Sequence, residues 1–328
     1  MMDWTDRHCR FFLRGFSPLT LLYTEMITAA AITRGDARRL LAFDPEEHPI
    51  ALQLGGSDPG ELARAARMGE EAGYDEINLN CGCPSERVAS GAFGACLMLD
   101  PGRVAECVAA MRAMVRVPVT VKMRIGVVSG GGPAWRGALA EFDERDFEAL
   151  SGFVERICRA GCEVAIVHAR KAVLGGLSPK DNRQVPPLRY DVVRRLKEAF
   201  AALPVIVNGG LRDVGGVREA LTWCDGVMLG REAYHRPWVL AELHRELRPG
   251  EAMRPARAEL LERMDRYAQR RMSEGEALSA ITRHMLGLYS GEPGAREYRR
   301  LLSEGARRPE AGPELIRGAA SLVSAARV

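Results

Sequence analysis

Seven short apolar segments alternate with longer segments of helical periodicity, and this alternation limits the folds open to the chain. The predicted strands span residues 21–25, 50–55, 76–80, 119–123, 164–168, 205–208 and 226–229. Runs such as Val119-Thr120-Val121 and Ala165-Ile166-Val167 are nearly continuous in apolar residues, as in strands that helices cover on both faces. Segments 61–73 and 103–115 have apolar residues three and four positions apart, which is typical of amphipathic helices. The repeat of strand, loop and helix predicts a parallel α/β sheet.

Polar residues at the strand ends distinguish between an open doubly wound sheet and an eightfold barrel. An open sheet concentrates function at one crevice, whereas the carboxyl ends of all barrel strands converge on one mouth. Here almost every predicted strand has polar residues in or just after its carboxyl end: Gln53, Asn78, Asn80, Lys122, Arg124, His168, Arg170, Asn208 and Arg231. We therefore predict a (β/α)8 TIM barrel.

The strand pattern stops near Arg254, and helical periodicity takes over. Segments 259–272, 278–289, 296–302 and 313–326 are the candidate helices. Pro249 and Gly250 interrupt helix formation and indicate a linker. The predicted organisation is a catalytic barrel at 1–247 and a small helical domain at 248–328, with a glycine-rich loop at 130–132.

Two glycine-containing turns indicate a phosphate site. Asn208-Gly209-Gly210 ends one late strand and Gly230-Arg231 ends the next, where barrel enzymes commonly bind phosphate against backbone amides. Either turn alone is equally compatible with simple chain reversal, but the pair favours a phosphorylated cofactor. No G-x-G-x-x-G follows a strand, so a Rossmann dinucleotide site is not indicated.

Three strand-end side chains are candidate cofactor contacts, each with a structural alternative. Lys122 lies among apolar neighbours, where an ammonium needs an acceptor unless its stem carries it out to water. His168 either contacts a cofactor or satisfies a backbone carbonyl, and Gln53 alone is compatible with a structural amide.

Composition excludes several classes of protein. A net charge of +3, from 46 basic and 43 acidic residues, is too small to identify a nucleic-acid binder. No signal peptide or apolar stretch of membrane-spanning length is found, so we expect a cytoplasmic protein without membrane contact. The eight cysteines lack zinc-site spacing, so we expect no metal. Five are expected to be packed thiols: Cys9, Cys107, Cys158, Cys162 and Cys224.

A cysteine also occurs in a loop predicted at the barrel mouth. The strand ending Asn78-Leu79-Asn80-Cys81-Gly82-Cys83-Pro84-Ser85 leads into Gly91-Ala92-Phe93-Gly94-Ala95-Cys96-Leu97-Met98. Cys96 is compatible with a nucleophile, a proton donor or a packed residue, and burial is the commonest of the three.

With these motifs the chain closely resembles the tRNA-dihydrouridine synthases, in particular the bacterial subfamily acting on D-loop positions 20 and 20a. The resemblance runs from Met1 to about Arg307. It also rests on the segments Asp3-Trp4-Thr5-Asp6-Arg7, Leu22-Tyr23-Thr24-Glu25-Met26, Ala51-Leu52-Gln53-Leu54-Gly55-Gly56-Ser57-Asp58-Pro59, Val119-Thr120-Val121-Lys122, Asn208-Gly209-Gly210 and Arg283-His284-Met285-Leu286-Gly287-Leu288.

The resemblance implies a flavin-dependent oxidoreductase that reduces uridine to 5,6-dihydrouridine in tRNA. It implies bound FMN, NADPH as reductant, hydride transfer to C6 of the base and protonation of C5 by Cys96. The implied flavin contacts are Gln53, Lys122 and His168, with Asn208, Gly209, Gly210, Gly230 and Arg231 at the phosphate. Asn80 and Arg183 match positions that bind the flipped uracil, Lys180 lies in the same substrate-facing loop, and Arg299 and Arg300 match an RNA-binding signature. We expect a monomer.

The chain departs from the family at its start. Relatives have a strand ending Ala-Pro-Met before the Asp-Trp-Thr-Asp-Arg segment, whereas this sequence begins Met1-Met2. We therefore expect seven barrel strands, with either a start site misassigned or an impaired product. Tyr298 replaces the usual tryptophan, and Cys81 occupies a variable position. The alternative functions are a flavin barrel reductase of a small enone or pyrimidine, and a catalytically impaired RNA-binding relative.

Overall fold

The fold is built on one curled sheet of seven parallel strands. The computed structural model describes residues 1–84, 93–129, 135–250 and 256–325. The strands of the sheet, in spatial as in chain order, are β1 (Leu22–Thr28), β2 (Ile50–Gly55), β3 (Glu76–Cys81), β4 (Val119–Arg124), β6 (Val164–His168), β8 (Val205–Asn208) and β9 (Gly226–Met228). A small parallel pair is formed by β5 (Val127–Ser129) and β7 (Ala172–Leu174). Within the described ranges β1 and β9 are the outer strands of the large sheet.

Helices connect the strands and then form a helical C-terminal region. The barrel helices are α1 (Arg7–Arg14), α2 (Ala29–Arg34), α3 (Ala37–Leu40), α4 (Pro59–Glu71), α5 (Pro101–Arg112), α6 (Trp135–Ala140), α7 (Glu144–Arg159), α8 (Tyr190–Ala199), α9 (Val214–Ala220), α10 (Arg231–His235) and α11 (Trp238–Leu247). The later helices are α12 (Arg257–Ser273), α13 (Leu278–Thr282), α14 (Ala295–Glu304) and α15 (Leu315–Ala325).

The predicted α/β class and seven strands are confirmed. Each predicted strand coincides with a strand of the large sheet, and the largest difference is that β1 continues to Thr28. The sheet is a TIM-barrel-like half-barrel with its helices, followed by a helical C-terminus. The short pair β5 and β7 had not been predicted.

The prediction of one helix over 278–289 is wrong. α13 ends at Thr282, and turns follow as far as Tyr289. A Cβ at Gly287 would lie 2.4 Å from the backbone oxygen of His235, so this segment packs its backbone directly against the chain before α11. Such tertiary contact overrides helical periodicity. The predicted glycine-rich loop at 130–132, and positions 85, 91, 92, 254 and 326 of other predicted segments, lie outside the described residues.

Helix α1 joins the barrel to the C-terminal helices. Asp6 caps α1 by accepting hydrogen bonds from the backbone nitrogens of His8 and Cys9, both at 3.0 Å. Phe11 stacks on Tyr267 of α12 with ring centroids 3.9 Å apart. The apolar core is therefore continuous from the sheet into the C-terminal region.

The cysteines expected to be packed are largely so. Cys9, Cys107, Cys162 and Cys224 are buried, whereas Cys158 is half-buried. Among the helices in the described ranges, none has both the length and the apolar character needed to cross a membrane.

Candidate active site

The strand-end residues come together because the sheet register aligns them. Gln53 is the partner of Asn78, and Asn80 is the partner of Lys122 on the next strand. His168 is the partner of Arg124 on one side and of Asn208 on the other. We call this face, where the carboxyl ends of the strands converge, the mouth.

Gln53 and Asn80 bind each other at the mouth. Asn80 Nδ2 donates a hydrogen bond to Gln53 Oε1 at 2.7 Å. Asn80 Oδ1 accepts from the backbone nitrogens of Gly82 and Cys83, both at 3.0 Å. Asn80 therefore has a fixed orientation, and the hydrogen-bonding capacity that it retains for a ligand is a second N–H on Nδ2.

Lys122 presents a cation to the mouth. Its side chain is half-buried, and no hydrogen bond or salt bridge joins its ammonium to a described residue. Burial, reinforced by the nearby Arg124 guanidinium, lowers the pKa of Lys122 to about 8. The side chain does not snorkel to a surface acid, so an acceptor or anion bound at the mouth would stabilise it.

His168 is a half-buried histidine with unused hydrogen-bonding capacity. Its Nδ1 atom is buried and has no partner within the described part of the chain. Burial, followed by the charges of Arg124 and Lys122, holds the pKa of His168 well below its ordinary value. The ring is therefore neutral at physiological pH and offers one donor and one acceptor nitrogen.

The turn after β8 depends on glycine. Gly209 has φ +107°, and a Cβ there would lie 3.1 Å from Nε2 of His168. Gly210 has φ +77°, and its Cβ would lie 2.4 Å from Leu188. Only glycine adopts these angles without strain, so the turn can bring its backbone close to His168 and to a phosphate. Asn208 supports the turn by donating from Nδ2 to the backbone oxygen of Met228 at 2.7 Å.

The turn after β9 adds Gly230 and Arg231. Gly230 precedes α10, and a Cβ there would be 3.5 Å from Sδ of Met1. Arg231 donates to the backbone oxygen of Arg183 at 3.2 Å. Burial, together with the charge of Arg231, lowers the pKa of Arg170. This cluster of cations is suited to an anionic ligand.

Cys96 lies in the 3₁₀ turn Gly94–Leu99, which packs against β3. The backbone nitrogen of Ala95 donates to the oxygen of Cys83 at 2.9 Å, fixing the turn to the end of that strand. Cys96 Sγ donates to the backbone oxygen of Phe93 at 3.0 Å and is half-buried. Burial raises the pKa of this thiol, although backbone hydrogen bonds oppose the shift. The thiol is therefore protonated at neutral pH, as a proton donor must be.

The loop with Lys180 and Arg183 is held in place by hydrogen bonds of buried residues. Asn182 is fully buried, accepts from the Val173 nitrogen at 2.7 Å and donates to the Val173 oxygen at 3.0 Å. Arg124 donates to the backbone oxygen of Asn182 at 2.9 Å. Lys180 and Arg183 are themselves exposed. No role in holding this loop had been predicted for Asn182 or Arg124.

Arg299 and Arg300 lie on α14, in the helical C-terminal region, and both are exposed. No hydrogen bond or salt bridge links them to the mouth residues over the described ranges. They are therefore candidates for contact with a large ligand and not for contact with the reacting group.

The N-terminal segment is linked to the C-terminal region by a charged cluster. Asp6 forms salt bridges with Arg283 and, at 2.9 Å, with His284. Tyr234 OH lies 3.2 Å from Nδ1 of His284, and Trp4 stacks on Tyr234 with centroids 4.5 Å apart. The sequence motifs containing Asp6 and His284 thus meet in space. Sequence reasoning had assigned neither residue a role.

The mouth combines donors, cations and a protonated thiol with turns that admit phosphate. Lys122, Arg231 and the backbone of the glycine turns would accommodate an anionic group. Gln53, Asn80 and His168 offer hydrogen bonds to a polar ring, and Cys96 offers a proton. The arrangement suits a phosphorylated aromatic cofactor together with a substrate that needs a proton.

Comparison with known proteins matches the chain to one family throughout. The family model described as dihydrouridine synthase (Dus) matches residues 1–324. The tRNA-dihydrouridine(20/20a) synthase of Xanthomonas campestris pv. campestris is 53% identical over 316 residues, covering 96% of this chain and 90% of that protein. The Synechocystis sp. protein of the same name is 51% identical over 97% of this chain and 91% of its own length. The Pseudomonas aeruginosa protein of that name is 53% identical over 92% of this chain and 87% of its own length.

Proposed function

Since the chain belongs to the dihydrouridine synthase family, we propose that it reduces uridine to 5,6-dihydrouridine at positions 20 and 20a of the tRNA D-loop, with FMN as bound cofactor and NADPH as reductant. The observation that carries the proposal is the mouth itself. Among the described residues, neither the Lys122 ammonium nor the buried Nδ1 of His168 has a hydrogen-bond partner. Both lie on the same face as the turn that carries the protonated thiol. A mouth of this kind suits a flavin and a substrate that takes up a proton.

Cofactor binding is assigned to the strand ends and the two glycine turns. Asn208, Gly209, Gly210, Gly230 and Arg231 would hold the phosphate with backbone amides and a guanidinium. Gln53, Lys122 and His168 would contact the polar edge of the flavin ring. His168 Nδ1, which has no partner in the part of the chain that the structure describes, is the atom that fits this assignment best, because a buried polar atom without a partner is destabilising.

Bound FMN would supply the hydride that adds to C6 of the uracil. Cys96 then donates the proton of its Sγ to C5, and the resulting thiolate recovers a proton from solvent. Asn80 and Arg183 would hold the uracil, which must leave the base stack to reach the mouth. Asn80 can donate a hydrogen bond to a carbonyl oxygen of the base, because the second N–H of its Nδ2 is not used by Gln53.

We assign tRNA binding outside the mouth to two basic surfaces and divide the chain at residue 247. Residues 1–247 would form the catalytic barrel, which presents Lys180 and Arg183. Residues 248–328 would form the tRNA-binding domain, with Arg299 and Arg300 contacting phosphates. This division assigns base chemistry to the barrel and backbone recognition largely to the helices. The enzyme would act in the cytoplasm, with its tRNA.

The test is mass spectrometry of tRNA that lacks dihydrouridine, incubated with NADPH and the protein loaded with FMN. The expected result is a gain of two hydrogen atoms in a fragment containing position 20 or 20a. Cys96→Ala should bind FMN and be reduced by NADPH but form little product. A native protein that binds FMN and leaves the tRNA mass unchanged would overturn the proposal. Equal product from native protein and Cys96→Ala would remove Cys96 from its role.

A further inference from the structure

A chain of hydrogen bonds runs from the mouth into the interior of the sheet. On the side of Gln53 away from the mouth, Gln53 Nε2 donates to Asn78 Oδ1 at 2.9 Å. Asn78 Nδ2 in turn donates to Thr120 Oγ1 at 2.7 Å. Thr120 Oγ1 donates to Glu76 Oε1 at 2.6 Å. Tyr23 OH donates to the same oxygen at 2.7 Å. With the bond from Asn80 to Gln53, five side chains are linked in series.

Groups at both ends of this series of hydrogen bonds determine the direction in which each bond points. At the mouth, the two backbone N–H groups held by Asn80 Oδ1 prevent its amide from turning over. At the interior end, Glu76 Oε1 accepts from the hydroxyls of both Thr120 and Tyr23, although burial raises the pKa of this carboxyl. Every amide between them must therefore present its oxygen toward the mouth side of the chain and its NH₂ toward Glu76.

The interior end has no other evident role. Asn78 and Thr120 are fully buried, and Glu76 is 8% exposed. Glu76 receives hydroxyl donors, and no salt bridge joins it to a cation within the described ranges. A buried acid without a cation is destabilising unless its hydrogen bonds are in place.

We propose that Glu76, Thr120 and Asn78 are positioning residues that hold the amide of Gln53 in one orientation. They touch neither cofactor nor base and act through Gln53. The inference rests on the proposed function and adds to it. Asn80 is already held by the Gly82 and Cys83 nitrogens, whereas the Nε2 side of Gln53 depends on the acceptor that Asn78 presents. Loss of a link would free the Asn78 amide to turn over and would remove that acceptor, so that Gln53 is no longer held ready to meet the flavin.

The experiment interrupts the series of hydrogen bonds at Thr120 and compares matched variants. Thr120→Val removes the hydroxyl with almost no change of shape, and Thr120→Ser restores it. Thr282→Val makes the same change at a fully buried threonine in the C-terminal region, where Oγ1 donates to the backbone oxygen of Leu302 at 3.2 Å. Tyr23→Phe removes a donor to Glu76 that lies off the path to Gln53. Asn78→Ala cuts the same path and leaves room for water beside Thr120, so it serves if Thr120→Val does not fold.

The measurements are the dissociation constant for FMN, by flavin fluorescence, the values of kcat and KM for tRNA, and the thermal midpoint without flavin. Thr120→Val and Asn78→Ala should each weaken FMN binding and lower kcat by about tenfold. The KM for tRNA should not change, because the basic surfaces are intact. Thr120→Ser and Tyr23→Phe should stay within about twofold of wild type. Thr282→Val should lower the thermal midpoint alone.

The outcomes separate this inference from the function on which it rests. If wild type binds FMN and reduces tRNA, and Thr120→Val and Asn78→Ala do so equally well, the positioning role is wrong and the proposed function stands. If Thr120→Val resembles Thr282→Val, with a lower midpoint and unchanged kcat, Thr120 is merely structural and the inference is also wrong. If wild type binds no FMN, both fail together.

Discussion

Asn80 donates to Gln53 across neighbouring strands at 2.7 Å, and this bond joins a residue assigned to the base with one assigned to the cofactor. Asn80→Asp keeps the acceptor for the Gly82 and Cys83 nitrogens but removes both N–H donors. We expect tRNA-dependent oxidation of reduced flavin to slow by about 10- to 100-fold, since a lost hydrogen bond of this kind is worth about 1–3 kcal/mol. Single-turnover absorbance measures the rate. A change of less than twofold would contradict the role of Asn80.

The rate of base reduction should depend on the protonated thiol of Cys96. Cys96→Ala should retain flavin binding but lose about 10²–10⁴-fold in the rate of base reduction, the usual contribution of a general acid. Because burial raises the pKa of Cys96, the native rate should be flat through neutral pH. It should fall only as pH rises above the ordinary thiol range.

Cys158→Ala is the matched control, since this thiol is also half-buried but lies on α7. It should leave the rate unchanged at every pH. A native rate that already falls between pH 6 and 7 would show that the group titrating is not the thiol described here.

The ammonium of Lys122 should make flavin binding depend on pH. Burial lowers the pKa of Lys122 to about 8. Below that pH the cation is present to bind an anionic oxygen, and above it the cation is progressively lost. The dissociation constant for FMN should therefore be constant near pH 7 and rise by up to about tenfold for each pH unit above 8. Fluorescence titrations between pH 6.5 and 9.5 measure this profile.

Lys122→Met is the control for that profile. It should bind FMN more weakly at neutral pH, and its dissociation constant should be flat above pH 8. A parallel rise in both proteins would attribute the pH dependence to another group.

The positions of the mouth residues could be predicted from sequence because strand ends converge in a barrel. Gln53, Lys122 and His168 were found in this way. Thr120 was not, because β4 was interpreted as a nearly continuous apolar run, and Glu76 was not, because it begins β3 and only the carboxyl ends of strands were considered. Alternation was the available signal: polar residues recur at every second position of β3 and β4, at Glu76, Asn78 and Asn80 and at Thr120, Lys122 and Arg124. A period of two places such residues on one face.

The remaining features depend on tertiary structure. The bond between Asn78 and Thr120 requires the register that aligns these two residues on adjacent strands, and no local pattern fixes it. Likewise, the end of α13 at Thr282 depends on packing against the distant His235. Neither could be predicted without knowing which segments become neighbours.

Removing the charge of Asp6 from its cluster should lower the stability of the fold strongly. Burial opposes the shift, but the interactions with His284, followed by the hydrogen bond from the Cys9 nitrogen and the bond from Arg283, hold the pKa of Asp6 far below its usual value. Asp6→Asn keeps the cap acceptor but removes the charge. We expect it to lower the free energy of unfolding at pH 7 by about 2–3 kcal/mol, measured by urea denaturation.

The pH dependence of that loss follows from linkage. A carboxyl with a lowered pKa in the folded state contributes stability above its unfolded pKa and loses the contribution as pH falls. The difference between wild type and Asp6→Asn should therefore shrink below about pH 4. Asp36→Asn is the control, because Asp36 caps α3 but is exposed. It should change stability by less than about 0.5 kcal/mol. Equal effects of the two substitutions would reduce Asp6 to an ordinary helix cap.

Arg299 and Arg300 test whether the C-terminal helices bind the RNA backbone. Contacts between cations and phosphates make affinity depend on salt, with roughly one unit of slope for each phosphate neutralised. Arg299→Ala combined with Arg300→Ala should raise the KM for tRNA by about tenfold and reduce the salt slope by about two, with FMN binding unchanged. Filter binding at several salt concentrations measures the slope. Arg67→Ala removes an exposed arginine of α4 that pairs with Glu71, and it should leave affinity and slope as in wild type. If the double variant behaves like Arg67→Ala, the RNA backbone is bound elsewhere on the surface.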